Sequence, residues 1–458
     1  MVLFAVLVMP TGLSALEISR LSIQVTDPFD GLSDKTPPVS LPYHQFVYLR
    51  ALAFDENNRP IPLFDQNGNR IVLPITWTVS SSRSAFIAPS GVRGSTSKLE
   101  ATATPGKLTV TARADNGVVA SIAVTVTFGF ESPKLLPYGY AYGASGFGRE
   151  FLGNAGISAN FSGFTYANPP APEGTQVAFL QGNGYMSLNY LFFDAGADYI
   201  VRFAAAQRGG IWQTRRQDFH VYINAAFLSA HTPVNTSYLE HRTPIFTPGA
   251  GLHPLRFYGI NSAGGDNTAF IDDVRIEKVG AAVNLGFESP STGSYLYAPV
   301  DAGWLFDGGS GVTTNDSGFT GVFTGAAFLP GTPAPEGRQV GFLQGRGSCE
   351  QAIGGFTPGQ PYRLEFRVAQ RGGIWQQSAQ TVRVVLEDTL AAGIEGIPRS
   401  ASLGEFRPAS TAYTTQSATF TANTRSLVVR FVGLATDDST AFIDNVRITA
   451  VSAPVGNG

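Results

Sequence analysis

"TAFIDDVRI" at residues 268–276 returns as "TAFIDNVRI" at residues 440–448, 172 positions further along the chain. Each nonapeptide alternates apolar and polar residues with a period of two, the signature of a β-strand. The match continues upstream. "GFESP" stands at 129–133 and 286–290, "APEGTQVAFLQG" at 171–182 and "APEGRQVGFLQG" at 334–345. The octapeptide "AQRGGIWQ" is spelled identically at 206–213 and 369–376. Offsets of 157, 163, 163 and 172 keep the landmarks in order and confine insertions to loops. A unit this long is a domain, so one domain is written twice.

Inside each copy the alternation persists. In "YIVRF", Tyr199, Val201 and Phe203 share a face; in "YRLEFRV", Tyr362, Leu364, Phe366 and Val368 do, with Arg363, Glu365 and Arg367 opposite. Seven to nine short strands per copy, without an amphipathic helix, predict an antiparallel jelly-roll β-sandwich. Residues 17–127 carry further alternating runs, "LEISRLSIQVTD", "QFVYLRALAFD", "ITWTVSSS", "GKLTVTARAD" and "VASIAVTVTF". They predict a separate N-terminal sandwich. Residues 1–16 hold a short apolar stretch ending in small residues and are expected to be a signal peptide; 450–458 are a tail.

Composition excludes several functions. A net charge of −3 with no basic run gives nucleic acid no electrostatic purchase. No segment is long and apolar enough to span a membrane. Cys349 is the single cysteine, so no disulfide closes within the chain. Five scattered His without HExxH or CxxC spacing do not describe a zinc site. Nucleophile-elbow, P-loop and dinucleotide fingerprints are all missing, and catalysis is not expected.

Two sets of residues carry candidate chemistry. In the closing strand Phe270, Asp272, Val274 and Ile276 share one parity, as do Phe442, Asp444, Val446 and Ile448. This parity sets Asp272 and Asp444 among core-facing side chains, which is costly unless the carboxylate is paired or meets a cation. Glu131 and Glu288 in "GFESP" supply a second acid each, and the first and last strands of a jelly roll commonly meet. Glu131 with Asp272, and Glu288 with Asp444, are therefore candidate Ca²⁺ ligands. The other reading makes them caps that accept backbone N–H bonds. Asp266 and Asp438 read as turn formers.

The octapeptide supplies the second set. Gln207, Arg208, Trp212 and Gln213, with Gln370, Arg371, Trp375 and Gln376, combine an aromatic face for the apolar side of a pyranose with planar groups for its hydroxyls. The alternative is a tryptophan lid on the core and an arginine paired with Glu173 or Glu336. Exposure of Trp212 and Trp375 separates the two.

The order of elements in 17–127 resembles the bacterial immunoglobulin-like domains of surface and secreted proteins, which usually act as spacers. Over 128–279 and 285–449, the "GFESP", "APEG.QV.FLQG" and "TAFID.VRI" motifs resemble galactose-binding-like jelly-roll modules of secreted bacterial proteins. Those are related in shape to the carbohydrate-binding modules of glycoside hydrolases. The resemblance implies a structural Ca²⁺ held by acids at similar places. The expectation is an exported, all-β, three-domain protein that binds a glycan or cell-surface polymer. Its rival is a structural or adhesive extracellular protein whose jelly rolls contact other extracellular proteins.

Overall fold

The computed structural model describes residues 18–26, 39–42, 46–62, 73, 75–80, 85–88, 96–101, 106–146, 148–261, 265–299, 302–323, 328–389 and 399–451. The expected signal peptide, and all but the first two residues of the tail, lie outside them. Among the described residues every regular element is a strand.

The N-terminal unit is a sandwich of two four-stranded sheets. One runs Arg20–Thr26, Phe46–Phe54, Thr96–Ala101, Ala85–Ala88; the other runs Val39–Pro42, Val119–Thr127, Gly106–Ala114, Ile75–Val79. Leu49, Trp77, Leu99 and Val110 fill the space between them. As the alternation predicts, Leu108, Val110 and Ala112 point inward.

Each repeat pairs a five-stranded sheet with a six-stranded one. In the first repeat the five run Arg149–Leu152, Tyr185–Phe193, Gly251–Ile260, Asp218–Ile223, Ala226–His231. The six run Leu239–Arg242, Tyr199–Gln207, Thr268–Lys278, Gln176–Gln181, Ala155–Ala159, Tyr140–Tyr142. The second repeat has the same order. Its five are Leu305–Asp307, Ser348–Gly354, Ser426–Gly433, Val382–Asp388, Ser400–Phe406. Its six are Thr414–Thr421, Pro361–Gln370, Thr440–Ala450, Gln339–Gln344, Ser310–Thr314, Tyr295–Tyr297. The strands alternate between two antiparallel layers, which is the jelly roll the sequence predicts. Phe203, Phe219, Phe257 and Val274 meet in the first core; Leu364, Phe366, Val384 and Phe431 meet in the second. Each such side chain contributes about 1.5–3 kcal/mol on leaving water.

The closing strand departs from the expected parity. Pairing with the strand Tyr199–Gln207 shifts register between Arg202 and Ala204, and the equivalent shift in the second repeat falls between Glu365 and Arg367. Asp273 and Asn445 sit there with φ of 49°, a left-handed conformation that Asp and Asn tolerate better than most residues. Ala269 and Ile271 before this bulge, and Val274 and Ile276 after it, all face the main core. Asp272 thus lies beside Phe270 on the opposite face, not with Val274 and Ile276. Phe270 joins a small outer core with Phe164, Val177, Phe179 and Tyr238, and Asp444 lies beside the matching Phe442 cluster.

The units are packed together. The Thr127 hydroxyl donates to the Glu173 carboxylate, joining the N-terminal sandwich to the first repeat. Ile200, Ile245 and Val428 form an apolar contact between the repeats. Beside it the enclosed Asp198 accepts from Thr247 of its own repeat and from Ser426 and Arg425 of the second.

Candidate functional site

The octapeptide is a brace with an exposed tip. The Gln207 side chain donates to Gln217 O and Pro233 O and accepts from Gln217 N–H and the Gln213 amide. Gln213 in turn accepts from Thr268 N–H, tying the loop to the closing strand. Gln370 and Gln376 repeat this, with Gln380, Pro408 and Thr440 as partners. These four glutamines are spent on holding the loop. Gly210 has φ of 87°, and a Cβ there would fall 1.9 Å from the Tyr166 hydroxyl, so the loop needs glycine at this point. Past the glycines Trp212 and Trp375 are 52% and 48% exposed, each next to an exposed isoleucine. Neither tryptophan is a core lid.

Arg208 and Arg371 belong to a cluster on the rim of the six-stranded sheet. Arg208 stacks 4.3 Å above the Phe164 ring and bonds Asp266 at 3.2 Å, so its partner is not Glu173. Gln181 donates to Asp266 and accepts from the Tyr142 hydroxyl at 2.7 Å. Tyr140 and Tyr142 stand edge to face, 6.2 Å apart and about half exposed. The second repeat rebuilds the group. Arg371 lies 4.3 Å above Phe319 and 4.0 Å from Asp438, Gln344 donates to Asp438, and the Tyr297 hydroxyl donates to Gln344 at 2.6 Å beside Tyr295. Burial, then the nearby Asp266 or Asp438, raises the pKa of Tyr142 and Tyr297, so both phenols remain donors. Each rim thus offers aromatic surface, a half-exposed carboxylate and an amide within one patch, braced by a buried guanidinium. That is chemistry for a polyhydroxylated ligand.

Sequence reasoning grouped the arginines with the tryptophans and glutamines of the octapeptide and assigned Asp266 and Asp438 to turns. Its signal for them was present: both acids precede "TAFID" at the same spacing. Gln176 and Gln339, just past the PEG turn, bond the opening segment through Phe130 O and Phe287 O.

The acids of the closing and opening motifs meet the PEG turn. Glu131 accepts from Thr175 N–H, the Thr175 hydroxyl and Gln176 N–H; Glu288 accepts from Arg338 and Gln339 N–H. A Cβ on Gly174 or Gly337 would fall 2.4 or 2.3 Å from that carboxylate, which explains the glycine of "PEG". Asp272 and Asp444 accept from Glu173 and Glu336 N–H. Both glutamates therefore act as caps. The aspartates are less satisfied. Asp272 is wholly enclosed, its Oδ1 finds no hydrogen-bond partner, and the neighbouring Tyr238 hydroxyl finds none either. Burial, then the charge of Glu173, raises the Asp272 pKa far above the carboxylate range; burial lifts Asp444 to about 7, with Glu336 and Glu288 adding to it. Enclosed carboxylates beside further acids are a donor set of the hard-oxygen kind that suits Ca²⁺. Among the described residues, however, no three His, Cys, Asp or Glu side chains converge as a complete metal cage.

A third feature was invisible in the sequence. On the outer face of the first repeat's five-stranded sheet, register sets Leu152, Tyr185, Tyr258 and His220 in one row across four strands. Arg256, Tyr222 and Phe227 lie in the row beside it. Tyr185 and Tyr258 rings lie 4.7 Å apart, Tyr258 and Tyr222 5.3 Å, and Tyr222 and Phe227 5.5 Å, giving a continuous, half-exposed aromatic band. The second repeat places Ser348, Val432, Val385 and Ser402 at those ring positions.

Comparison with known proteins gives the following. Residues 280–449, just over a third of the chain, match the family described as "HpiC1-like: HpiC1 cyclase". No curated protein matches. Among solved structures, the tandem CBM22 domain of Paenibacillus barcinonensis Xyn10C is 12% identical, covering 69% of this chain and 97% of its own at a TM-score of 0.25. TmCBM61 in complex with β-1,4-galactotriose is 13% identical, covering 37% and 99% at 0.24. The CBM6 of the laminarinase LamC from Zobellia galactanivorans is 18% identical, covering 27% and 98% at 0.19. Superpositions this loose do not transfer residues.

Proposed function

We propose that the chain is a secreted, non-catalytic carbohydrate-binding protein, with an immunoglobulin-like spacer ahead of two jelly rolls that hold a glycan or cell-surface polymer. The observation that carries this reading is the rim cluster, built twice from the same residue types with the same partners. Tyr142, Gln181, Arg208 and Asp266 answer to Tyr297, Gln344, Arg371 and Asp438. A structural hinge would not need two half-exposed tyrosines beside a half-exposed carboxylate in both copies. The aromatic band of the first repeat adds a longer stacking surface, since ring faces pack on the apolar faces of sugars. Ca²⁺, held by Asp272 and Asp444 with neighbouring oxygens, would neutralise enclosed negative charge and fix the PEG turns as a structural ion.

The test is retention of the chain on insoluble polysaccharides, xylan and β-1,4-galactan first. Wild type is expected to be retained and a Tyr142→Ala/Tyr297→Ala variant of unchanged thermal midpoint to pass through. No retention on any polysaccharide leaves the adhesive reading, in which the same rims contact other extracellular proteins. A catalytic second reading rests on the match of the second repeat to a family described as a cyclase. A ring closure without a leaving group would appear as a product of unchanged mass and altered retention time.

A further inference from the structure

The two repeats enclose a cleft of about 390 Å³ where the edge of the first meets the five-stranded sheet of the second. His231, His241 and Arg242 line it from the first repeat; Asp307, Glu387 and Arg430 line it from the second. Its floor is Glu350, wholly enclosed and bonded by both Arg242 and Arg430. Arg242 also bonds Glu387 at 2.9 Å.

The cleft exists because the second repeat departs from the first at specific lattice points. Ser348 pairs with Asp307 and Val432 just as Tyr185 pairs with Leu152 and Tyr258. A tyrosine at 348 would project from the same sheet face into the space that Ser348 now borders. Asp307 stands where the first repeat has Leu152, and Glu350 where it has Ser187. The face that is aromatic and open in one copy is polar and walled in the other.

Its chemistry selects a ligand class. The two guanidiniums are already matched by Glu350 and Glu387, so an anion gains nothing from them. The Asp307 carboxylate, exposed at the mouth, bonds only its neighbour Gly308 N–H among the described contacts and can accept from a ligand hydroxyl. Ser348 and Ser400 also line the wall, and Ser229 lines it with its hydroxyl on His231 Nε2 at 2.7 Å. The volume lies at the lower end of the roughly 300–1,000 Å³ of small-ligand pockets, room for one or two sugar rings. We propose that this inter-repeat cleft binds a neutral mono- or disaccharide, at a site separate from the rims and present only when both jelly rolls are packed together.

The test titrates the full chain by calorimetry with D-galactose, D-glucose, D-xylose and their β-1,4-linked disaccharides. At least one is expected to bind wild type. Ser348→Tyr, which fills the cleft with the first repeat's own residue, and Asp307→Asn, at an exposed position, are each expected to weaken that sugar tenfold or more. Tyr142→Ala/Tyr297→Ala should leave it unchanged while losing polysaccharide retention, so the cleft and the rims fail separately. If Ser348→Tyr lowers the thermal midpoint, Asp307→Asn decides. The proposal is overturned if no sugar of the panel binds, or if binding survives the cleft variants in folded protein.

Discussion

Arg242 of the first jelly roll sets its guanidinium on the enclosed carboxylate of Glu350 in the second. Arg242 finds both of its carboxylate partners, Glu350 and Glu387, in the second repeat, while Glu350 also pairs with Arg430 of its own repeat. Burial alone would push the Glu350 carboxyl up, but Arg242 and Arg430 outweigh it and hold the pKa down at about 2. The junction is therefore an electrostatic clasp beside the Ile200–Ile245–Val428 contact, and it keeps the two modules at one fixed spacing.

Removing one partner of such a pair strands the other. Arg242→Ala is expected to cost about 3–5 kcal/mol, because Glu350 stays enclosed with a single guanidinium. Chemical denaturation should show this as an earlier transition, and scanning calorimetry should split the melting of the two repeats. Replacing both residues, Arg242→Met with Glu350→Leu, should recover much of the loss, since a charged pair exchanged for apolar packing is often near neutral. Equal loss in the single and double variants would mean that packing, not charge, holds the junction.

Acid should open the same junction in two overlapping stages. Burial, then the charges of His241, Arg242 and His220, lowers the His231 pKa from 6.5 to about 3. A depressed pKa means that the neutral ring's contribution is complete above pH 6.5 and is lost as pH falls toward 3. Glu350, lowered from 4.5 to about 2, contributes fully above pH 4.5 and loses this as pH falls through 2. Asp444 titrates in the opposite sense in both proteins, so the wild-type thermal midpoint relative to that of His231→Gln, measured from pH 7 to 2.5, should fall.

Much of this architecture was legible in the sequence, for a physical reason. Strand periodicity is local, and the duplicated landmarks fix which strands correspond. What escaped depends on register. A single left-handed residue, Asp273 or Asn445, reverses the face on which Asp272 or Asp444 lies; the paired Asp and Asn were its one sequence signal. Tyr185, Tyr258, Tyr222 and Phe227 come from four strands and become neighbours only through pairing that no spacing reveals. The inter-repeat cleft also needs the packing of one whole domain on another.

The raised pKa of Asp444 makes the calcium proposal testable through pH. A folded pKa of about 7 against 3.8 means that its contribution is complete below pH 3.8 and is lost as pH rises through 7, unless a cation replaces the proton. Calcium at a hundredfold excess over its Kd stabilises by about 2.7 kcal/mol, roughly 5–10 °C in midpoint at about 2–4 °C per kcal/mol. That gain should be present at pH 7.5, vanish near pH 4.5 and be absent from an Asp272→Asn/Asp444→Asn variant. A chelator-insensitive midpoint at pH 7.5 would leave these acids as caps and nothing more.

Two rims held at one spacing predict avidity on a polymer long enough to reach both. Linking two sites of modest affinity can raise overall binding by about 10²–10⁴ when the geometry allows joint engagement. The clasp at Arg242 removes most of the freedom that joint binding would otherwise have to restrict. Tyr142→Ala alone and Tyr297→Ala alone should then each lower polymer affinity by far more than they lower affinity for a short oligosaccharide. Each single variant should approach the double variant on the polymer. Arg242→Ala, which touches neither rim, should reproduce part of the polymer loss while sparing the oligosaccharide. Losses of equal size on polymer and oligosaccharide would show two independent sites, with the spacing of the repeats serving the fold alone.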